Sequence, residues 1–218
     1  SLSMESTVLN LSAYDNFYTQ EAYKTLRTNL LFCGRDVQII AVTSHWENEG
    51  KTTVALNLAK SLTELGKRVL VIDADMRKSV MAGRHTKAKN PAGLSEILTG
   101  IVKLSDGLYT TQYENLHMIF SGKYPPNPVE LLGGKYFPML LEETRKVYDY
   151  VIVDTPPLGQ VIDAAVLAPF CDGTLLVMES HLIRQKYAKS LINQLNKSGS
   201  KILGVVRNNI GDGKQHRR

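Results

Sequence analysis

Apolar residues recur along the chain with two different spacings, which predict strands and helices in alternation. Residues 37–44 (VQIIAVTS) are apolar and rich in β-branched side chains, which is typical of a buried strand. The segment beyond the next loop has apolar residues at helical spacing, namely Val54, Leu58, Leu62 and Leu65. Gly66 is expected to end this helix.

Later stretches repeat the same alternation. Strands are predicted over 67–75, 115–122, 148–157, 172–180 and 200–209, and amphipathic helices over 135–147 and 182–199. Continuous apolar strands that alternate with helices indicate an α/β fold, with a mainly parallel sheet covered by helices on both faces. In such sheets ligands bind beyond the carboxyl ends of the strands. A helix over 19–34 precedes the first strand and belongs to no strand–helix–strand unit.

The loop between the first strand and its helix carries the first chemical signal. Its sequence is SHWENEGKTT (44–53), which ends like a phosphate-binding loop but has His45 where G-x-x-x-x-G-K-[ST] has its first glycine. In this strand–loop–helix context, Lys51 is expected to face the β- and γ-phosphates and Thr52 to offer its hydroxyl to Mg²⁺. His45 must tolerate the turn, and histidine enters positive φ more readily than most residues. A degenerate site and a chance GKT are the alternatives.

Aspartates at the ends of two predicted strands carry the second signal. Asp154 ends the apolar stretch VIVD, and a carboxylate there can hold Mg²⁺ through water. Asp73 and Asp75 end VLVIDAD, and strand alternation places both on one face. Such aspartates can instead cap the next helix. Three carboxylates at strand ends, together with one GKTT loop, favour a metal–nucleotide site.

Composition narrows the class of protein. The 218 residues, 43% hydrophobic and 22% charged, are typical of a single globular domain. Neither a membrane-spanning run nor a signal peptide is predicted, and Cys33 and Cys171 are interpreted as reduced, buried thiols of a cytoplasmic protein. The net charge of +5 comes partly from the end of the chain, which we interpret as a solvated tail. No nucleic-acid partner is expected.

Longer segments resemble a known family. They are EAYKTLRTNLLF, GKTTVALNLAKSL, VLVIDADMRK, GLSEILTG, SGKYPPNPVELL and YDYVIVDTPPLGQVIDAAVLAPFCDGTLLVM. Together, from about Tyr18 to Asn209, they resemble the bacterial tyrosine kinases of capsule and exopolysaccharide synthesis. The most specific are VLVIDADMRK and SGKYPPNPVELL, which the general phosphate-loop pattern does not require. The resemblance implies a P-loop NTPase fold of the deviant-Walker group, which also contains the partition and division ATPases.

The resemblance also implies ATP as phosphoryl donor, Mg²⁺ as cofactor and a role for each matching residue. Lys51 and Asp73 are the catalytic residues, with Asp73 as the base that accepts the tyrosine hydroxyl proton. Asp75 and Asp154 hold Mg²⁺ with Thr52. The expected nucleotide contacts are Glu49, Gly50, Lys51, Thr52, Thr53 and Asn208, the last in a position similar to the asparagine that reads the adenine edge.

Partners follow from the same resemblance. Glu21, Lys24 and Arg27 match the family's E-x-x-R-x-x-R oligomerisation motif, with Lys24 in place of the first arginine. They lie on one helix face and are expected to pair across subunits of a ring-like homo-oligomer. A membrane activator of polysaccharide export and a tyrosine-containing protein substrate are also implied, at the inner face of the cell membrane.

The expected organisation has four parts. Residues 1–3 are interpreted as a cloning remnant, 4–35 as an N-terminal segment with the oligomerisation helix, 36–210 as the ATPase/kinase domain and 211–218 as a basic tail.

Two departures from the family leave alternatives open. The family has a small, proline- and glycine-rich stretch where this chain has HWENE, and no tyrosine follows Tyr187, so autophosphorylation of a tail is not expected. One alternative is a non-kinase ATPase switch of the partition/division type, although the signature lysine of those proteins would fall at Trp46. The other is an ATP-binding scaffold with weakened chemistry. The kinase is favoured.

Overall fold

An eight-stranded sheet forms the centre of the described chain. The structure is a computed structural model, and it describes residues 4–45, 50–76, 81, 86, 88–157, 166–179 and 185–208. The strands are β1 (Glu5–Ser6), β2 (Ile39–Ser44), β3 (Val69–Asp73), β4 (Tyr109–Thr110), β5 (Leu116–Ile119), β6 (Tyr150–Asp154), β7 (Gly173–Glu179) and β8 (Ile202–Asn208). Their order across the sheet is β1-β4-β5-β3-β6-β2-β7-β8.

Helices connect and cover the strands. They are α1 (Phe17–Leu31), α2 (Lys51–Thr63), α3 (Leu94–Leu98), α4 (Pro128–Gly133), α5 (Tyr136–Arg145) and α6 (Gln185–Lys197). Short 3-10 turns lie at Ser12–Tyr14, Leu104–Asp106 and Ala168–Phe170. Each strand and helix predicted over the described residues is present, with ends that differ by a few residues. No helix of this described part is long and apolar enough to cross a membrane.

Strand direction agrees with the predicted fold class. Across the sheet, every neighbouring pair among β5, β3, β6, β2, β7 and β8 is parallel. Strands β1 and β4 pair in parallel with each other, and β4–β5 is the one antiparallel pair of the described sheet. Parallel pairing brings the carboxyl ends of β5, β3, β6, β2, β7 and β8 to one edge of the sheet, which we call the carboxyl edge. The mainly parallel α/β fold is confirmed.

Alternation along the central strands builds a core on each face. In β3, Val69 and Val71 belong to one apolar cluster, while Leu70 and Ile72 belong to the other. All of these side chains are fully buried. The first cluster is closed by α2 and part of α1, and the second by α3, α4 and α5. Burial on both faces explains why these strands are continuously apolar.

The N-terminal helix α1 packs along α2, the helix that follows the phosphate loop. Arg27 donates to the Ser61 carbonyl at 2.8 Å and pairs with Glu64 at 3.1 Å. Asp15, just before α1, pairs with Lys60 at 3.0 Å. Helix α1, which lies outside the strand–helix–strand units, is thus bound by hydrogen bonds and ion pairs to α2, the helix at the predicted nucleotide site. The division at residues 35 and 36 stays a prediction.

Candidate nucleotide-binding site

The turn from β2 into α2 has the backbone of a phosphate loop. Gly50 caps α2 in the left-handed region (φ 82°, ψ 17°), a conformation that costs glycine little, and the helix starts at Lys51. Amide groups at such a helix start point outward and favour an anion. His45 does not adopt positive φ; the described non-glycine residues that do are Asn90 and Asn115. Residues 46–49, with Trp46 and the predicted contact Glu49, lie outside the described residues.

The side chains of Lys51 and Thr52 both contact Asp154. The Lys51 ammonium lies 2.5 Å from one carboxylate oxygen of Asp154, and the Thr52 hydroxyl donates to the other at 2.8 Å. A second carboxylate, Asp75, lies 3.7 Å from the same ammonium. The side chain of Lys51 is 8% exposed and that of Asp154 is 1% exposed, so this ion pair is buried.

Strand register explains why residues far apart in sequence meet here. Asp154 ends β6, opposite Val42 of β2 on one side and Asp73 of β3 on the other. Asp73 is 1% exposed, and its carboxylate accepts from the backbone N–H of Asp75 at 3.1 Å. This bond turns the chain just after β3 and directs Asp75 to Lys51. The structure therefore brings together the lysine, the threonine and all three aspartates that the sequence selects.

The charge balance of the cluster is set by one cation and three carboxylates. Burial alone would lower the pKa of Lys51, but the charges of Asp154 and Asp75, the hydrogen bond to Asp154 and the charge of Asp73 together raise that pKa above its ordinary value. Lys51 is therefore a fixed cation at neutral pH. Its attraction to phosphate does not depend on a pH change in the physiological range.

The oxygen atoms beside Lys51 fit Mg²⁺. A hydroxyl and a carboxylate 2.8 Å apart, with a second carboxylate nearby, are hard oxygen donors of the kind that magnesium accepts. No group of three or more His, Cys, Asp or Glu side chains forms a complete metal site among the described residues. Magnesium does not need one, because it keeps several waters and takes substrate phosphates as ligands.

The remaining predicted site residues fall into two groups. Thr53 lies in the first turn of α2, and Asn208 ends β8, so both are at the carboxyl edge with the cluster. On α1, Lys24 pairs with Glu21 at 3.2 Å, and both side chains are about half exposed. Arg27 instead turns inward to α2, with a side chain that is mostly buried. Pairing of this motif across subunits stays a prediction, and Arg27 already has partners within its own chain.

One contact at the site is missed by sequence reasoning. The Tyr14 hydroxyl lies 3.3 Å from the Thr53 hydroxyl, so the segment before α1 reaches the first turn of the phosphate-loop helix. Tyr14 is held there because its carbonyl accepts from the Gln20 side chain at 2.9 Å. Contacts between residues this far apart leave no local pattern in the sequence.

A glycine-capped helix start, a buried lysine and strand-end aspartates define the class, a P-loop nucleotide-binding protein. In agreement, residues 37–208 match the AAA domain family. The chain is 41% identical to the tyrosine-protein kinase CpsD of Streptococcus agalactiae over 194 residues, 89% of this chain and 85% of the relative. It is 38% identical to the tyrosine-protein kinase YwqD of Bacillus subtilis over 192 residues, 86% and 80% of the two chains.

Solved structures agree. The kinase domain of the Escherichia coli tyrosine kinase ETK superposes with a TM-score of 0.85 at 33% identity, covering 94% of this chain and 82% of that one. The septum site-determining protein MinD of Pyrococcus horikoshii, complexed with Mg-ADP, is more distant, with a TM-score of 0.66 at 25% identity over 82% and 72%. The chain belongs to the family of bacterial tyrosine-protein kinases, which confirms the resemblance found in the sequence.

Proposed function

We propose that this protein is an ATP- and Mg²⁺-dependent protein-tyrosine kinase that regulates the synthesis and export of a capsule or exopolysaccharide. The named relatives support the reaction and its biological setting. The observation that carries the proposal is the buried cluster of Lys51 with Asp73, Asp75 and Asp154 at the carboxyl edge. It supplies a cation for phosphate, oxygens for a metal and a further carboxylate for proton transfer.

Lys51 provides the charge that stabilises phosphoryl transfer. The transferred group passes through a loose transition state whose negative charge is spread over its oxygens, so a positioned cation and backbone amides supply most of the catalysis. When nucleotide binds, the Lys51 ammonium exchanges Asp154 for phosphate oxygens. Gly50 allows the loop backbone to approach those oxygens closely.

Asp73 is the base for the acceptor hydroxyl. It ends β3, beside Asp154 in the register, and its burial limits access of bulk water to the carboxylate. A tyrosine hydroxyl has an unperturbed pKa of about 10, so its proton leaves late in the transfer. Asp73 then receives that proton, while residual hydrolysis occurs when water takes the place of the acceptor.

Thr52, Asp154 and Asp75 hold the magnesium ion. The Thr52 hydroxyl and the Asp154 carboxylate, which are already adjacent, would supply oxygens to the ion together with the carboxylate of Asp75. Bound Mg²⁺ supplies charge neutralisation of the β- and γ-phosphates. Asn208, at the end of β8, contacts the adenine edge.

The biological setting has three parts. The protein works in the cytoplasm and is recruited to the inner face of the membrane by a partner of the polysaccharide export system. It forms a homo-oligomer through α1, where Glu21 and Lys24 are exposed. Its substrate is a protein that carries tyrosine. These parts are supported by family membership.

Labelled ATP tests the proposal. The purified protein is incubated with γ-labelled ATP, Mg²⁺ and a tyrosine-containing protein or peptide, and phosphotyrosine is measured against free phosphate. We expect phosphotyrosine that depends on Mg²⁺ and is lost in Asp73→Asn. Asp73→Asn keeps the size of the side chain, so its affinity for Mg-ATP should remain close to that of the wild type.

Other outcomes separate the alternatives. Free phosphate without phosphotyrosine would favour an ATPase switch like the division proteins, whose fold the MinD structure shares. Binding of ATP with neither product would favour a scaffold.

A further inference from the structure

The loop after β5 holds a motif that the nucleotide site does not use. Residues 120–127, which we call the β5–α4 loop, contain most of SGKYPPNP and leave the sheet at the carboxyl edge. Strand β5 is the neighbour of β3, with Ile119 opposite Ile72. Phe120 therefore begins the loop level with Asp73, one strand spacing of about 4.8 Å away.

Helix α3 fixes the start of this loop. The backbone N–H of Leu94 donates to the Phe120 carbonyl at 2.7 Å, and that of Ser95 donates to the Ser121 carbonyl at 3.0 Å. Gly93 permits this approach, because a Cβ atom there would lie 2.1 Å from the Phe120 carbonyl oxygen. These two backbone hydrogen bonds hold the first two residues of the loop against the start of α3.

Glu96 braces the next part of the loop. One oxygen of its carboxylate accepts from the Lys123 backbone N–H at 3.1 Å, and the other accepts from the Ser95 hydroxyl at 2.5 Å. Between them Gly122 has φ 79°, and a Cβ there would lie 2.0 Å from the carboxylate. The positive φ favours glycine, and the absence of a side chain leaves room for the Glu96 carboxylate.

The braced loop presents a cationic and an aromatic side chain. Tyr124 is 59% exposed and Lys123 is also exposed, while Pro125 beside them is buried and anchors the segment. Lys123 forms no ion pair within the described chain. Aromatic residues such as tyrosine are enriched in protein interfaces, so the exposed Tyr124 ring on this braced loop is available for contact with a partner.

The order of the strands places this loop relative to the nucleotide site. Along the carboxyl edge, β8 ends at Asn208, β2 leads to the phosphate loop, β6 ends at Asp154 and β3 ends at Asp73. Under the proposed function the nucleotide lies along this edge, with adenine towards β8 and the γ-phosphate towards β3. In-line transfer requires the acceptor on the side opposite the leaving diphosphate. That side is occupied by the β5–α4 loop.

We propose that Lys123 and Tyr124 form the docking subsite for the acceptor polypeptide, and that they bind residues flanking the tyrosine to be phosphorylated. The inference rests on the proposed function. From Phe120 to Tyr124 the chain spans at most about 14 Å, which is the length of a few residues of an extended peptide. A tyrosine at Asp73 would thus place its neighbours on this loop.

The charge of Lys123 selects acidic flanking residues. The Lys51 cluster contains more carboxylates than cations, and ATP adds negative charge, so acidic residues near the acceptor are repelled at the centre of the site. The Lys123 ammonium, which forms no ion pair within the described chain, offsets that repulsion beside the acceptor. The aromatic ring of Tyr124 offers a stacking surface for an apolar or proline neighbour.

Peptide kinetics and peptide binding test the subsite. We compare wild type with the double variant Lys123→Ala/Tyr124→Ala, using a tyrosine peptide flanked by glutamates. We expect the KM for peptide to rise about tenfold, with unchanged affinity for Mg-ATP and unchanged ATP hydrolysis. Lys123→Glu should reverse the preference between glutamate-flanked and lysine-flanked peptides. Both substitutions are at exposed positions, so folding should be retained.

The chain offers a matched control. Lys135 and Tyr136 repeat the same dipeptide at the start of α5, where Tyr136 is 55% exposed. Lys135→Ala/Tyr136→Ala should leave the peptide KM unchanged. An equal rise in this control, or no rise in the first variant, would overturn the subsite while leaving the kinase intact.

A binding measurement separates this inference from the proposed function. If wild type forms no phosphotyrosine, the proposed function fails. The subsite is then tested by peptide binding to protein loaded with a non-hydrolysable ATP analogue. A peptide affinity that is the same in wild type and in Lys123→Ala/Tyr124→Ala would overturn it, whereas an affinity about tenfold lower in the variant would support it.

Discussion

Replacing Lys51 by methionine should destabilise the protein as well as inactivate it. In the structure the Lys51 ammonium contacts Asp154 and lies 3.7 Å from Asp75, and its side chain is almost fully buried. Methionine fills a similar volume but carries no charge. The substitution therefore leaves the buried carboxylate of Asp154 with only the Thr52 hydroxyl and without a countercharge.

The size of the effect follows from the burial of the pair. Removal of one partner from a buried ion pair costs about 3–5 kcal/mol, because the remaining charge stays desolvated. The lower end, about 3 kcal/mol, is expected here, since Asp75 retains some access to water. For a chain of this length each kcal/mol changes Tm by about 2–4 °C, so Tm should fall by about 6–12 °C.

Urea unfolding at pH 7 without nucleotide measures this loss, and calorimetry measures Mg-ATP binding by the same variant. Lys146→Met is the control, because Lys146 pairs with Glu143 at the surface and both side chains are largely exposed. Its cost should stay below about 1 kcal/mol. Asp154→Asn, introduced into Lys51→Met, should recover part of the lost stability because it removes the uncompensated charge.

Two results would contradict this role of Lys51. If Lys51→Met unfolds within about 1 kcal/mol of wild type, as the control should, the carboxylate cluster is not held by this lysine. If Mg-ATP affinity is unchanged in both Lys51→Met and Asp154→Ala, the assignment of the nucleotide site is wrong.

Further predictions concern stability, assembly and self-modification. Arg145 and two backbone amides offset the burial of Asp172 and hold the pKa of its carboxyl below the ordinary value. This stabilisation is complete above the unfolded pKa of about 3.9 and is lost as pH falls through the folded pKa. Asp172→Asn should therefore lower the free energy of unfolding more at pH 7 than at pH 3, in urea titrations at the two pH values. Glu21→Lys and Arg27→Glu should each shift the measured mass towards monomer in light scattering, and only Arg27→Glu should also lower Tm, because it breaks contacts with α2. A wild-type protein that is monomeric at high concentration and low salt would contradict the assembly prediction. The isolated protein should show little autophosphorylation by mass spectrometry after incubation with Mg-ATP. Phosphate on Tyr14 or on Tyr18, which is 84% exposed, would move the target to the N-terminal segment. Stoichiometric phosphotyrosine near the C-terminus would contradict the prediction.

The sequence predicts the central sheet well because those strands are buried on both faces. Ile39–Ser44 and Tyr150–Asp154 are uniformly buried, and their continuous apolar sequence follows directly from that environment. The two strands on the β1 side of the sheet, Glu5–Ser6 and Tyr109–Thr110, are only two residues long, and Glu5–Ser6 is exposed. Such short pairs depend on their neighbours in the sheet and leave no periodic pattern.

The site divides in the same way. Lys51 and the strand-end aspartates are predictable because their chemistry requires fixed places relative to a strand end. The brace between Glu96 and Lys123 is not, since a carboxylate that accepts a backbone N–H 27 residues away has no sequence signature. Asn208 and Glu49 are transferred by resemblance alone, and their side-chain contacts stay predictions.

The order of the strands separates two tasks that a kinase must combine. Under the proposed function, binding and activation of ATP depend on the β2–α2 turn and on the end of β6, which lie in the middle of the sheet. The MinD structure shares this sheet and binds Mg-ADP. Under the proposed function, an acceptor other than water needs a further surface beyond Asp73, and the loop after β5, the neighbour of β3, lies beside Asp73 at the carboxyl edge. Under that proposal a kinase differs from a related ATPase mainly on the β5 side, because the cluster around Lys51 acts on the nucleotide whichever acceptor receives the phosphoryl group.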